Sequence, residues 1–299
     1  MVIHNEAVCQ RDSPVDDKVN HGTLVAGVIW RYAGQIIDGF KGEKSVVKLI
    51  NIKIDSKLTP LGQGFMKALQ AIDKWEQKNN KKVDMITTSM GLVKENQKGQ
   101  RKEMTNLNGT FTSLSGEKVI IAAASNDGKT NHQTVAWPAT NGYVLGINAI
   151  NDMGNATDFA PQGDGIDFAF PGFQIASTSR PPSQEELNSG MIVLRRGTSN
   201  EWWAMNRDGT SFAAPHCAAS VAIVLAYVHI GLGKEARKAI TNTEFMKELL
   251  LKISETQRDH RMGYGFPKFD QLTLEGIKDY LIANELLDSK DLNSGNINE

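Results

Sequence analysis

Short β-branched runs alternate along this chain with longer segments of helical period. Val46-Val47-Lys48-Leu49-Ile50-Asn51-Ile52-Lys53-Ile54 has the character of a buried parallel strand. Gly62 to Asn79 carries apolar residues at Phe65, Leu69, Ile72 and Trp75, close to one helical turn apart, and predicts a helix. Strand patterns return at Val83 to Ser89, at Val119 to Ala124 and at Val144 to Ile150. Such alternation predicts an α/β fold with a mostly parallel central sheet and helices on both faces. Sites in sheets of this kind form at the carboxyl ends of the strands. Asn126 and Ser89-Met90-Gly91 fall at such ends.

The rest of the chain is less regular. Ala213 to Ile230 is the most apolar stretch. Its small residues, with His216 and His229, predict a core helix rather than a membrane span. At the N-terminus, Met1 to Val8 makes the better strand start, and Val8-Cys9-Gln10-Arg11 makes a poor buried strand. Thr178 to Gly209 is polar and includes Arg180-Pro181-Pro182-Ser183. It predicts a surface loop near the site, with Trp202 and Trp203 as a packing foot or a partner contact. The folded domain is expected over residues 1–285, followed by a polar, disordered tail over 286–299.

A chain of 299 residues with 40% hydrophobic content can bury a large single core. Its formal net charge of −1 gives no electrostatic reason to expect nucleic acid or an anionic membrane as partner. The two cysteines, Cys9 and Cys217, make neither a disulfide framework nor a zinc site, and Cys217 in an apolar helix reads as a small buried hydrophobe. His4, His132, His229 and His260 are scattered, so no metal site is expected. Met1-Val2-Ile3 opens the chain without a basic, then apolar, leader, so a cytoplasmic location is expected, or a secreted one if the true start lies upstream.

Two short stretches carry the chemistry. His21-Gly22-Thr23-Leu24-Val25-Ala26-Gly27 and Gly209-Thr210-Ser211-Phe212-Ala213-Ala214-Pro215-His216 each set a reactive side chain at the start of a small-residue helix. Nucleophilic catalysis needs a hydroxyl within reach of an imidazole, with both held rigidly. A helix N-terminus adds backbone N–H groups and a positive dipole end beside the hydroxyl. Ser is also a common helix N-cap, and the two roles are compatible at Ser211.

At these residues the chain resembles the subtilisin-like serine proteases, the subtilases. Their histidine motif, His-Gly-Thr-x-Val-Ala-Gly, is matched at every fixed position from His21 to Gly27. Their serine motif, Gly-Thr-Ser-x-Ala-x-Pro-His, is matched from Gly209 to His216. A third motif, Ala-Ala-Ala-Gly-Asn-x-Gly, stands as Ala122-Ala123-Ala124-Ser125-Asn126-Asp127-Gly128, with Ser125 for the first Gly. The resemblance runs from about Val2 to about Leu272 and takes in Trp137-Pro138-Ala139-Thr140, Phe170 to Thr178 and Met262-Gly263-Tyr264-Gly265. It implies a three-layer subtilisin-like fold. It implies Ser211 as nucleophile, His21 as general base and Asn126 as oxyanion donor. Asp84 to Leu92 resembles the strand whose end pairs with substrate backbone, which gives Ser89, Met90 and Gly91 a substrate-binding role, with Met90 alternatively a core residue. Many subtilases bind structural calcium. The oxygen-rich Gln162-Gly163-Asp164-Gly165-Ile166-Asp167 reads instead as a turn, so no cofactor is expected.

The acid that orients His21 stays open. Asp12-Ser13-Pro14-Val15-Asp16 copies the second half of the family's first-strand pattern, with Pro for Gly, and makes Asp12 the first candidate. Asp12 is nine residues from His21, closer than the family pattern implies. A strand starting at Met1 would put Asn5 or Glu6 at the acid position, and Asp16, Asp17 or no acid at all are further options. The expected function is serine endopeptidase action on a peptide or protein substrate. The alternative is a pseudoprotease that binds peptides or proteins on the same fold. Oligomeric state is not legible.

Overall fold

Among the described residues, two parallel sheets, one of two strands and one of four, form the frame of the fold. The structure is a computed structural model and describes residues 3–7, 17, 19–34, 47–54, 61–92, 98–129, 134–188, 193–196 and 202–288. β1 (Ile3–Ala7) pairs in parallel with β2 (Leu49–Lys53), Ile3 opposite Leu49 and Ala7 opposite Lys53. β3 (Met85–Thr88), β4 (Val119–Ala123), β5 (Leu145–Ile150) and β6 (Phe168–Pro171) form a four-stranded parallel sheet in that order. The strands sit where the β-branched runs predict them. Every residue of β4 and β5 is buried, as strands covered on both faces must be.

The two faces of β4 show how the layers are built. Successive side chains of a strand point to opposite faces. Val119, Ile121 and Ala123 join a cluster with α5 (Thr210–Leu232). Ile120, Ala122 and Ala124 join Phe65 of α2 (Leu61–Asn79) and Leu107 and Phe111 of α3 (Lys98–Ser115). The result is helix, sheet, helix, the three-layer α/β fold expected from the alternation. On the α5 side, α6 (Lys234–Ile240), α7 (Thr243–Leu251) and α8 (Leu274–Ala283) complete the core. Leu286 and Leu287 pack on the same core, and residues 289–299 of the expected tail lie outside the described residues.

α5 is long and apolar enough to cross a membrane by length and composition, yet most of it is buried inside the fold. Ala213, Ala214, Cys217, Ala218 and Ala219 are all fully buried, and their small size lets the helix axis approach the sheet closely. Cys217 is a buried small hydrophobe, its thiol pushed up in pKa by burial. Cys9 lies outside the described residues.

The stretch Thr178 to Gly209 departs from the expected loop. It contributes to an antiparallel three-stranded sheet of β7 (Ile175–Ser179), β9 (Trp202–Arg207) and β8 (Val193–Arg196), in that spatial order, with α4 (Gln184–Asn188) between β7 and β8 in sequence. Trp203 is half-buried on β9, opposite Ser179 and Arg195. α1 (His21–Ile29), which runs on into a wider π turn over Trp30–Gly34, packs on this sheet and on α5 through Leu24, Val28, Ile175, Met205 and Phe212. That cluster brings the start of α1 to the start of α5.

Candidate active site

The start of α1 is pinned from two sides. Asn20 is fully buried with a left-handed φ of 65°. Its amide donates to Ser179 Oγ at 2.8 Å, and its Oδ1 accepts from the backbone N–H of Arg180 at 3.1 Å. Asp17 supplies the cap: Oδ2 accepts from Thr23 N at 2.7 Å and from Thr23 Oγ1 at 2.8 Å. This satisfies one of the donors that a helix start leaves open and puts negative charge at the positive end of the dipole. Gly27 lies so close to β7 that a Cβ there would run into Ser177 Oγ and Thr178 Oγ1. His21, the first residue of α1, is thereby held half-buried, its ring centroid 6.1 Å from that of Phe212.

Burial lowers the pKa of His21 below 6.5, and the Asp17 carboxylate pushes partly back. A neutral imidazole at neutral pH is the form that accepts a proton.

Ser211 sits in the first turn of α5, and that turn is tied to three strand ends. From the end of β4, Thr210 donates its N–H to Asn126 Oδ1 at 2.9 Å, and its hydroxyl lies 3.0 Å from Ser125 O and 3.2 Å from Asn126 Oδ1. From the end of β6, Gly172 O accepts from Gly209 N at 2.8 Å, and Pro171 O lies 2.8 Å from His216 Nδ1. From the end of β3, Ser89 Oγ donates to Ser211 O at 2.8 Å. The Ser211 hydroxyl itself donates to Ser89 O at 3.3 Å.

Asn126 is consequently oriented. Its oxygen is taken by Thr210, while its side chain stays exposed with the amide N–H groups on the other arm. Gly209 has φ 147°, and a Cβ there would come within 3.2 Å of Asn126 Nδ2. Glycine keeps that space open.

Ser125 explains its own departure from the motif. Its φ is 133°, a region that favours glycine, and its Oγ offsets part of the strain by donating to Thr134 O at 2.8 Å. Ser125→Gly and Ser125→Ala both lose that hydroxyl, and only glycine relieves the backbone. The glycine variant is expected to be the more stable by about 1 kcal/mol in denaturant unfolding, and equal stabilities would contradict the strain.

Beyond β3, Ser89-Met90-Gly91 leads to Leu92, which exchanges both backbone bonds with Trp137 at 2.8 and 3.0 Å. Gly91 is exposed, and a Cβ on it would meet Ala136 and the Trp137 carbonyl. Met90 is half-buried and packs against the cluster around Phe65 and Trp137 at this strand end.

His216, buried, holds Pro171 O and Phe212 O through Nδ1, and desolvation drops its pKa to about 4. It is a neutral structural group. Asp167 is committed to Gly146 N and Lys247, and Asp164 to Arg258, within a turn. Among the described residues no three His, Cys, Asp or Glu side chains gather as a metal set.

The acid candidates divide. Asn5 and Glu6 lie within β1, Asp17 caps α1, and Asp12 and Asp16 lie outside the described residues. A sequence reading that treats Asp17 only as an acid misses its bond to the helix start, because Asp17 lies four residues ahead of His21 and the N-cap position itself is Asn20. It also misses Asn20 and the anchoring role of Thr210, which depend on contacts across the fold.

A family model described as the subtilase family matches residues 3–265. The chain is 28% identical over 269 residues to the minor extracellular protease Epr of Bacillus subtilis (strain 168), covering 88% of this chain and 34% of that protein. It is 24% identical over 228 residues to subtilisin DY of Bacillus licheniformis, covering 76% of this chain and 71% of that protein. The chain thus spans about a third of the first relative, and its match to subtilisin amylosacchariticus covers 47% of that protein. Among solved structures, a lanthipeptide protease superposes with a TM-score of 0.67 at 18% identity, over 93% of this chain and 80% of that one. The psychrophilic subtilisin-like protease Apa1 of Pseudoalteromonas sp. AS-11 gives 0.59 at 14% identity, over 96% and 90%.

Proposed function

Since this chain belongs to the subtilase family of serine proteases, we propose that it is a serine endopeptidase acting through an acyl-enzyme on Ser211. Ser211 Oγ leaves its bond to Ser89 O and attacks the scissile carbonyl. His21 takes the hydroxyl proton and returns it to the leaving amine. Negative charge on the former carbonyl oxygen is met by the Asn126 amide and by the N-terminal end of α5. Water, activated by the same imidazole, then cleaves the ester and frees Ser211. The substrate is a peptide or protein segment whose backbone pairs with Ser89-Met90-Gly91, a mode that makes little demand on side chains.

The observation that carries this reading is the tie between Asn126 and the Ser211 turn. Thr210 holds the Asn126 oxygen, which leaves the exposed amide as a donor beside the nucleophile. A donor fixed in advance favours the transition state over the ground state, where the carbonyl is less charged. Asn126→Leu is expected to lower kcat by about 10²- to 10³-fold with little change in KM, a scale set by the corresponding loss in subtilisin, a relative. Steady-state kinetics on a peptide substrate check it. An unchanged kcat would remove Asn126 from the mechanism.

A further inference from the structure

Pro215 lies inside α5, six residues in, where helices rarely tolerate proline. Proline has no N–H, so the carbonyl four residues earlier loses its helical donor. That carbonyl belongs to Ser211. Ser89 Oγ, 122 residues away in sequence, donates to it at 2.8 Å. The two serines are joined a second time, because Ser211 Oγ donates to Ser89 O.

We propose that Ser89 is a positioning residue for Ser211, its hydroxyl taking the place of the backbone donor that Pro215 removes. The inference rests on Ser211 being the nucleophile, and it adds a role to Ser89 beyond backbone pairing with substrate. The helix carbonyl next to the nucleophile is freed by one residue and captured by another from the end of β3. The turn bearing Ser211 is thereby coupled to the segment on which the substrate lies. An undirected Ser211 turn would shift Oγ relative to the imidazole, and small displacements of a reacting atom are costly.

The side chain of Ser89 faces the protein backbone, so its loss should act on the chemical step. Ser89→Ala keeps the Ser89 carbonyl and removes only the hydroxyl. It is expected to lower kcat by about 10- to 100-fold, with KM changed less than about twofold. It should slow labelling by a fluorophosphonate probe in the same proportion. The diagnostic comparison is a double-mutant cycle with Pro215→Ala, which restores an N–H to the helix. In that background Ser89→Ala is expected to cost less than about threefold, because the Ser211 carbonyl has its own donor again. Circular dichroism on all four chains checks that each is folded. Unfolding confined to Ser89→Ala and rescued in the double variant would support the same tie.

Three outcomes overturn the inference: a Ser89→Ala labelling rate equal to the native one, a loss that falls on KM instead of kcat, or an equal cost with and without Pro215→Ala. A native chain that takes up no probe sinks the catalytic reading itself, and this inference with it. A labelled native chain with any of the three results sinks this inference alone.

Discussion

Ser211→Ala is expected to lower kcat for peptide hydrolysis by about 10⁶-fold, the scale known for the serine of subtilisin, a relative of this chain. The chemistry allows no substitute. Alanine leaves Thr210, Asn126 and the end of α5 in place, so a substrate carbonyl can still be bound and polarised. It removes the only atom that forms the ester. The residual rate then measures water attack assisted by the oxyanion donors, which on the serine-protease precedent stays about 10³- to 10⁴-fold above the uncatalysed reaction. Because the Ser211 hydroxyl makes one long bond among the described residues, to Ser89 O, stability should change little. Single-turnover kinetics with matched thermal melts check both parts. Full hydrolysis by a folded Ser211→Ala chain would place the activity elsewhere.

His21→Ala should cost a similar factor, since serine and base act as a unit. The native pH profile carries a sharper prediction. An imidazolium cannot accept the Ser211 proton, so activity is present above the His21 pKa and lost as pH falls through it. Burial sets that pKa below 6.5, with Asp17 opposing. The acid limb of kcat/KM therefore has its midpoint below pH 6.5. Asp17→Asn retains a side-chain oxygen for Thr23 and removes the charge, so the limb should move to still lower pH. A native midpoint above 6.5, or a limb that moves upward in Asp17→Asn, would contradict the account.

The parallel frame is legible in the sequence because buried parallel strands must be apolar on both faces. Val119 to Ala123 and Leu145 to Ile150 can hardly be written otherwise. Ser211, His21 and Asn126 are legible for a related reason. Each sits in a motif whose other residues are fixed by close approach: Gly27 against β7, Gly209 against Asn126 and Ala213 and Ala214 against the sheet. The antiparallel sheet of β7, β9 and β8 is not legible. Short strands with a solvated face give a weak pattern, and Arg180-Pro181-Pro182-Ser183 reads as loop. Ser125 looks like a defect in a motif until its φ of 133° shows why glycine suits the position. The tie from Ser89 to Ser211 is invisible along the chain because proline announces a missing donor without naming the replacement. The acid is not legible either, because Val8-Cys9-Gln10-Arg11 makes a poor strand pattern and Glu6, Asp12, Asp16 and Asp17 all stand near the expected place.

The account turns on whether Ser211 is an activated nucleophile. Intact-mass analysis after treatment with a fluorophosphonate probe, on the native chain and on Ser211→Ala, tests that most directly. A single adduct on the native chain and none on the variant is the predicted result. No adduct on a native chain shown to be folded would contradict it and would favour a peptide-binding module on a protease fold.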